Sequence, residues 1–156
     1  MKYLSLLMIF GLMLFASCSA TSKPETLHDM GYDEAEMEAA IARARSEVDT
    51  FIAKMNAGEG EDFGVKVPIT DSNGTEHFWL GEITYANGVF KGVIGNDAGI
   101  VENVTLGQSW EVKKEEISDW MYMKNGKMHG NYTMRPLLKT MPEEEAALFR
   151  AMLAEP

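Results

Sequence analysis

Several groups of residues in this chain have the types that chemistry or recognition requires. Glu76 and His77, taken with Asp119, supply acid, base and orienting carboxylate, which act as a general acid–base set wherever a fold brings them together. Against that reading, the chain has no nucleophile elbow, no His-Glu-x-x-His helix and no glycine-rich phosphate loop. A buried His77 bonded to backbone and an Asp119 bonding strand-end amides account for the same residues structurally. Met121, Met123 and Met128, beside His129, are the soft ligands that suit Cu(I), whereas methionine as adaptable core filler is the plain alternative. Zinc has less support, because His28, His77 and His129 show no ligand spacing. Trp120, Tyr122 and His129, with Asp119 nearby, offer a stacking surface for a peptide, glycan or other flat ligand, or else a structural set of cross-strand aromatic pairs.

These residues must be positioned by one modest domain, since 156 residues with 46% hydrophobic and 24% charged composition suit a single core. The charge is lopsided: 14 basic against 24 acidic side chains give a formal net charge of -10. Such a surface repels phosphate backbones, which argues against nucleic acid as a partner. The amino terminus has a different character. Lys2 followed by the apolar run Leu4 to Ala16 has the plan of an export signal, too short to remain as a membrane span. Leu14-Phe15-Ala16-Ser17-Cys18 resembles a lipobox, so residues 1–18 read as a lipoprotein signal and Cys18, the chain's one cysteine, as the lipidated residue. Ordinary cleavage after Ala20 is the competing reading, because Cys18-Ser19-Ala20 also offers small residues. Ser19 after the cysteine points to the outer membrane, periplasmic side, with residues 19–31 as a tether.

Helix and strand signals follow. Asp33 and Glu36 form a capping box, with Tyr32 stapled on Met37; Met37, Ile41, Ala44, Val48, Phe51, Ile52 and Met55 make one apolar stripe, which ends at Gly58. The charges off that stripe, including Arg43 and Arg45, read as a solvated face. Asp71-Ser72-Asn73-Gly74, Asn87-Gly88 and Asn125-Gly126 are hairpin turns between strands expected at 63–69, 76–86, 89–94, 108–114, 117–124 and 127–134. Pro68 places the first strand at a sheet edge or at a strand end. Thr140-Met141-Pro142-Glu143 starts a terminal helix. Tight turns fix register, so Asn125-Gly126 pairs Met123 with Met128, Met121 with Gly130 and Tyr122 with His129. The methionines, Asp119 and Ile117 are then expected inward, and Trp120, Tyr122 and His129 outward. Around Asn87-Gly88, the alternation turns His77, Trp79, Ile83, Tyr85, Phe90 and Ile94 inward.

A family resemblance is carried by Phe63-Gly64-Val65-Lys66, Glu76-His77-Phe78-Trp79-Leu80, Gly92 with Asn96, Gly107, and Ile117-Ser118-Asp119-Trp120-Met121-Tyr122, continuing through Gly126-Lys127, Gly130, Tyr132-Thr133 and Arg135. Together these resemble the YegJ-like bacterial domain of unknown function (domain of unknown function 2314), with Ala98 departing from an expected proline. The resemblance implies a compact α+β domain over residues 32–137. It implies no reaction, cofactor or catalytic residue.

The expectation is therefore an α+β fold: a twisted, mainly antiparallel sheet of five to six strands, one long N-terminal helix and a short C-terminal helix within residues 138–156. The expected role is a non-enzymatic envelope lipoprotein without cofactor or bound metal. It meets the membrane through Cys18 and an envelope protein, peptide or glycan through the hairpin from Asp119 to His129. The alternatives are a hydrolase-type enzyme using Glu76, His77 and Asp119, and a periplasmic Cu(I) carrier.

Overall fold

The computed structural model describes residues 31–155; the expected leader with Cys18, and the expected tether up to residue 30 with His28, lie outside the described residues. Helix α1 (Glu34–Ala57) starts where the Asp33 carboxylate accepts the Glu36 N–H at 2.9 Å and stops at Gly58, whose φ of 65° closes the helix. Strands β1 (Glu61–Asp71), β2 (Gly74–Ala86), β3 (Val89–Ile94), β4 (Ser109–Lys113), β5 (Asp119–Lys124) and β6 (Lys127–Gly130) form one antiparallel sheet in the order β4-β3-β2-β1-β5-β6. A short helix α2 (Met134–Leu137) and helix α3 (Glu143–Met152) complete an α+β fold with a six-stranded sheet, a long N-terminal helix and a short C-terminal one. No helix among the described residues is long and apolar enough to cross a membrane.

One face of the sheet packs against α1. Ala44, Val48, Phe51 and Ile52 of the helix bury against Val65, Val67, Ile69, Phe78, Leu80, Phe90, Ile94, Trp120 and Tyr122. Phe51 sits at the centre, its ring 5.1 Å from Trp120 in a stacked pair and 6.1 Å from Phe90. The Trp120 indole N–H donates to the Ala44 carbonyl at 2.9 Å, so its one polar atom is satisfied inside the core.

The hairpin register matches expectation: Met121 pairs with Gly130, Tyr122 with His129, Met123 with Met128 and Lys124 with Lys127. The faces of Trp120, Tyr122 and the methionines are the reverse of those expected, whereas Ile117 and Asp119 are buried as expected. Trp120 is 5% and Tyr122 3% exposed under α1, while Met121, Met123 and Met128 lie half-buried on the other side. Register alone cannot choose between faces; the apolar stripe of α1 chooses, and rings bury more apolar area than thioethers do.

A second reversal has a local cause. Between Gly81 and Thr84 the β2–β3 pairing shifts at a bulge, where Glu82 has a φ of 50°. The extra residue breaks the two-residue alternation. Phe90 and Ile94 keep their inward place, but Trp79 and His77, on the far side of the bulge, fall on the face away from α1, the parity opposite to buried Phe78 and Leu80.

Two terminal signals also play out differently. Pro68 lies within β1, which is a central strand. Pairing with β5 ends at Lys66, whose carbonyl accepts the Ser118 N–H. The proline nitrogen, two residues on, faces that vacated side and costs no ladder bond. Strand β6 ends at Gly130 and does not reach Met134: Gly130 has a φ of 76°, Asn131 of 47°, and a Cβ on Gly130 would stand 2.2 Å from the Trp120 carbonyl oxygen. Thr140 does not cap α3, which begins after Pro142 without a side-chain cap. Its hydroxyl donates instead to the Leu137 carbonyl, closing the preceding turns.

Because Trp120 is core, Trp120→Ala is expected to lower unfolding free energy by about 3–5 kcal/mol. Urea denaturation checks this, and a loss under about 1 kcal/mol, the scale of a surface substitution, contradicts the packing.

Candidate functional site

On the sheet face away from α1, the strands carry an unusual set of polar side chains. Lys66 in β1 is paired with Asp119 in β5, and their exposures are 7% and 0%. Asp119 Oδ1 accepts the N–H groups of Trp120 at 2.9 Å and Tyr132 at 3.2 Å, while Oδ2 accepts the Thr133 N–H at 2.8 Å and its hydroxyl at 2.7 Å. The Lys66 ammonium donates to that same hydroxyl at 3.1 Å and lies 5.5 Å from the Trp79 ring centroid. Burial pushes the Asp119 carboxyl upward, against the Thr133 and Trp120 hydrogen bonds that hold it down. Burial likewise pushes the Lys66 ammonium downward, with Asp119 acting in the opposite direction. Both groups are drawn toward neutrality by loss of water.

This cluster anchors structure. Three of the carboxylate's four donors belong to Tyr132 and Thr133 of the turn at 131–133, whose Asn131 N–H is met by the Trp120 carbonyl. Ser118 stands nearby, its hydroxyl 2.8 Å from His77 Nδ1. Glu76 is elsewhere: it falls on the α1 side by alternation and its carboxylate accepts N–H groups from Gly99, Ile100 and Val101. Glu76 therefore holds the loop before β4, and the set Glu76, His77 and Asp119 is not assembled.

The aromatic set stays together, with Trp120 and Tyr122 stacked at 6.1 Å, but Trp120 and Tyr122 are buried beneath α1. His129 stacks on Tyr122 at 4.9 Å and 6°, on the side opposite the paired Met123 and Met128. Burial, then the charges of Lys124 and Lys54, pushes its imidazole below the ordinary value. Met128 Sδ accepts a hydrogen bond from Asn131 at 3.1 Å. Among the described residues no group of three or more His, Cys, Asp or Glu side chains is placed to hold a metal ion. The aromatic surface expected on the hairpin is not a surface: Trp120 and Tyr122 are beneath α1, Asp119 beneath the turn, and His129 is half-buried.

A concave site of about 290 Å³ does open beside that turn, between α1 and the 132–139 segment. Ala39, Ala40 and Arg43 of α1 form one wall, with Tyr132, Arg135 and Lys139 opposite. The Asp119 clamp fixes the backbone of Tyr132, whose ring packs edge-on against Trp120 at 5.5 Å and 87°. Guanidinium carbons of Arg43 and Arg135 lie 4.5 and 5.2 Å from the centroid of the same ring. The Tyr132 hydroxyl donates to the Glu47 carboxylate, which also accepts from Arg43 Nε at 3.0 Å. At the rim, the Lys139 ammonium donates to both oxygens of Glu36, at 2.6 and 2.7 Å.

Sequence reading did not single out this cleft. In the sequence Arg43 belongs with the solvated face of α1, and the spacing of Tyr132 and Arg135 resembles no motif of chemistry. The available signal lay in the family pattern, which contains Tyr132-Thr133 and Arg135. Nothing local shows that α1 brings Arg43 to them across 89 positions of chain to Tyr132.

Burial first, and the hydrogen bond to Glu47 second, push the Tyr132 hydroxyl from 10.0 up to about 12. A group whose folded value is raised contributes stability that is whole below its unfolded value and lost as pH rises through the folded one. Stability is thus expected to fall between pH 10.0 and about 12, with a late phenolate step in the ultraviolet titration of the folded chain. Tyr132→Phe removes that step; its survival in the variant contradicts the assignment.

A family model described as "Uncharacterized protein conserved in bacteria (DUF2314)" matches residues 34–154. The chain is 50% identical over 148 residues to "Uncharacterized protein YegJ" of Escherichia coli (strain K12), covering 95% of this chain and 97% of that protein. It is also 36% identical over 85 residues to a putative ankyrin repeat protein of Neisseria meningitidis serogroup B, covering 52% of this chain and 34% of that longer protein. No solved structure matches. The chain belongs to the DUF2314 family.

Proposed function

We propose that this DUF2314 family member is an exported, lipid-anchored and non-enzymatic binding module of the cell envelope, and that the α1 to 132–139 cleft is its recognition surface. The address rests on the leader and on Cys18, with outer-membrane delivery facing the periplasm following from Ser19. The binding role rests on one observation. The side chains best suited to chemistry, Asp119 and Glu76, are occupied by backbone amides that hold loops, whereas the cleft presents two guanidinium groups over one aromatic ring at an opening.

The cleft has the composition of a recognition site. Ala39, Ala40, Pro136 and the Tyr132 ring give it apolar walls, and a few convergent polar groups give it direction. Tyrosine and arginine carry binding energy disproportionate to their number. The clamp at Asp119 means that this geometry exists before a partner arrives, which limits the ordering cost of association. An envelope protein, peptide or glycan presented near the membrane is the class of partner this position serves.

Two measurements test the two halves. The wild-type chain, expressed in a bacterium, is expected to incorporate labelled palmitate and Cys18→Ser to incorporate none; an unlabelled wild-type chain would mean ordinary cleavage. A photoreactive amino acid at Ala39, inside the cleft, is expected to give an envelope adduct by intact mass, while the same group at exposed Glu111 in β4 gives none. Absence of an Ala39 adduct, or equal adducts at both positions, contradicts the cleft as the recognition surface.

A further inference from the structure

Charge within the cleft identifies the chemistry of what it takes. Its lining carries three cations, Arg43, Arg135 and Lys139, against the single carboxylate of Glu36. Counting Glu47, bonded to Arg43 and Tyr132 just behind, the local balance is one positive charge in a chain whose net charge is -10. The field of the rest of the molecule opposes multiply charged anions, and one negative charge suffices to neutralise the cleft.

Arg135 locates that charge. Its Nη1 donates to the carbonyls of Gly130 at 2.8 Å and Asn131 at 3.1 Å, and its Nη2 to the carbonyl of Ala154 at 3.1 Å. Those three bonds fix the plane of the guanidinium and leave about two of its five donors for another acceptor. Among the described residues Arg135 has no ion-pair partner within 4.0 Å, although Asp119 and Glu155 act on it from farther away. Burial works against its charged form, so an anion reaching it would replace hydration it has already lost. Arg43, held by Glu47 at one nitrogen, faces the same Tyr132 ring.

Planar guanidinium groups match the two coplanar oxygens of a carboxylate. The apolar walls beside them match a hydrocarbon body, and about 290 Å³ admits a group of roughly one amino acid's size. We propose that the cleft binds a monocarboxylate attached to an apolar body, its oxygens on Arg135 and Arg43 and its body against Ala39 and Ala40 of α1. This rests on the cleft being the recognition surface, and names the chemical class that surface accepts.

The test uses the folded, exported chain and three probes followed by two-dimensional NMR: N-acetylleucine, its carboxamide, and inorganic phosphate at matched ionic strength. N-acetylleucine is expected to shift the Arg43 and Arg135 side-chain N–H signals and the amides of 36–43 and 132–139. The carboxamide and phosphate are each expected to bind at least about tenfold more weakly, a difference of about 1.4 kcal/mol. Arg43→Gln, at a half-exposed position, is expected to weaken N-acetylleucine several-fold with the spectrum otherwise unchanged; Arg135→Lys, which keeps the charge but loses the fork, is expected to weaken it too. Equal binding of acid and amide, tighter binding of phosphate, or shifts located elsewhere overturn the proposal. If the Ala39 adduct forms while acid and amide bind alike, the cleft stands as the surface and the carboxylate falls. If neither adduct nor shift occurs, both fall.

Discussion

The Asp119 carboxylate is the interaction on which the rest of this structure depends. It is fully buried and holds four donors, three of them backbone or side-chain groups of Tyr132 and Thr133. A buried carboxylate is costly unless its lone pairs are filled. Here they are filled by the Trp120 N–H and by a segment that leaves the sheet at Gly130, where the Asn131 N–H is met by the Trp120 carbonyl and the Tyr132 and Thr133 N–H groups by the carboxylate. The exchange serves both sides: the carboxylate gains donors, and the turn gains a fixed conformation. Lys66 completes the set through the Thr133 hydroxyl, so that its charge sits one hydrogen bond away from the acid.

Position follows from that clamp. Once the turn is fixed, Tyr132 stands edge-on to Trp120, and Trp120 is in turn held between Phe51 and the Ala44 carbonyl of α1. The same turn begins the segment carrying Arg135, whose guanidinium straps the carbonyls of Gly130 and Asn131 to that of Ala154 near the carboxyl terminus. The cleft is thus a consequence of core packing. Its two arginines reach one ring because α1 and the turn are tied to opposite faces of β5.

Local chemistry made most of the fold legible. Asp33 and Gly58 bound α1 because capping is decided within a few residues, and Asn87-Gly88 and Asn125-Gly126 set their hairpins for the same reason. Side choice was not local. Period-two alternation says which residues share a face, but the identity of the buried face depends on where a helix from another part of the chain lands. Trp120 and Tyr122 therefore changed sides relative to expectation, and Trp79 changed sides because a bulge at Glu82 carries no compositional mark. The candidate site was less legible still. By type Asp119 reads as a possible catalytic group, whereas its role needs amides 13 and 14 positions away. Arg43 reads as one more solvated charge, since nothing in its neighbours along the chain indicates Tyr132.

Native-state hydrogen exchange at Tyr132 and Thr133 measures the clamp most directly, in the unaltered chain. Their amides belong to no strand, yet each points at a buried carboxylate oxygen. The account predicts exchange as slow as that of central ladder amides such as Val67 and Phe78, because release requires opening the same core. Exchange at the rate of an exposed loop would show that Asp119 does not hold the turn, and the pre-formed cleft would lose its physical basis.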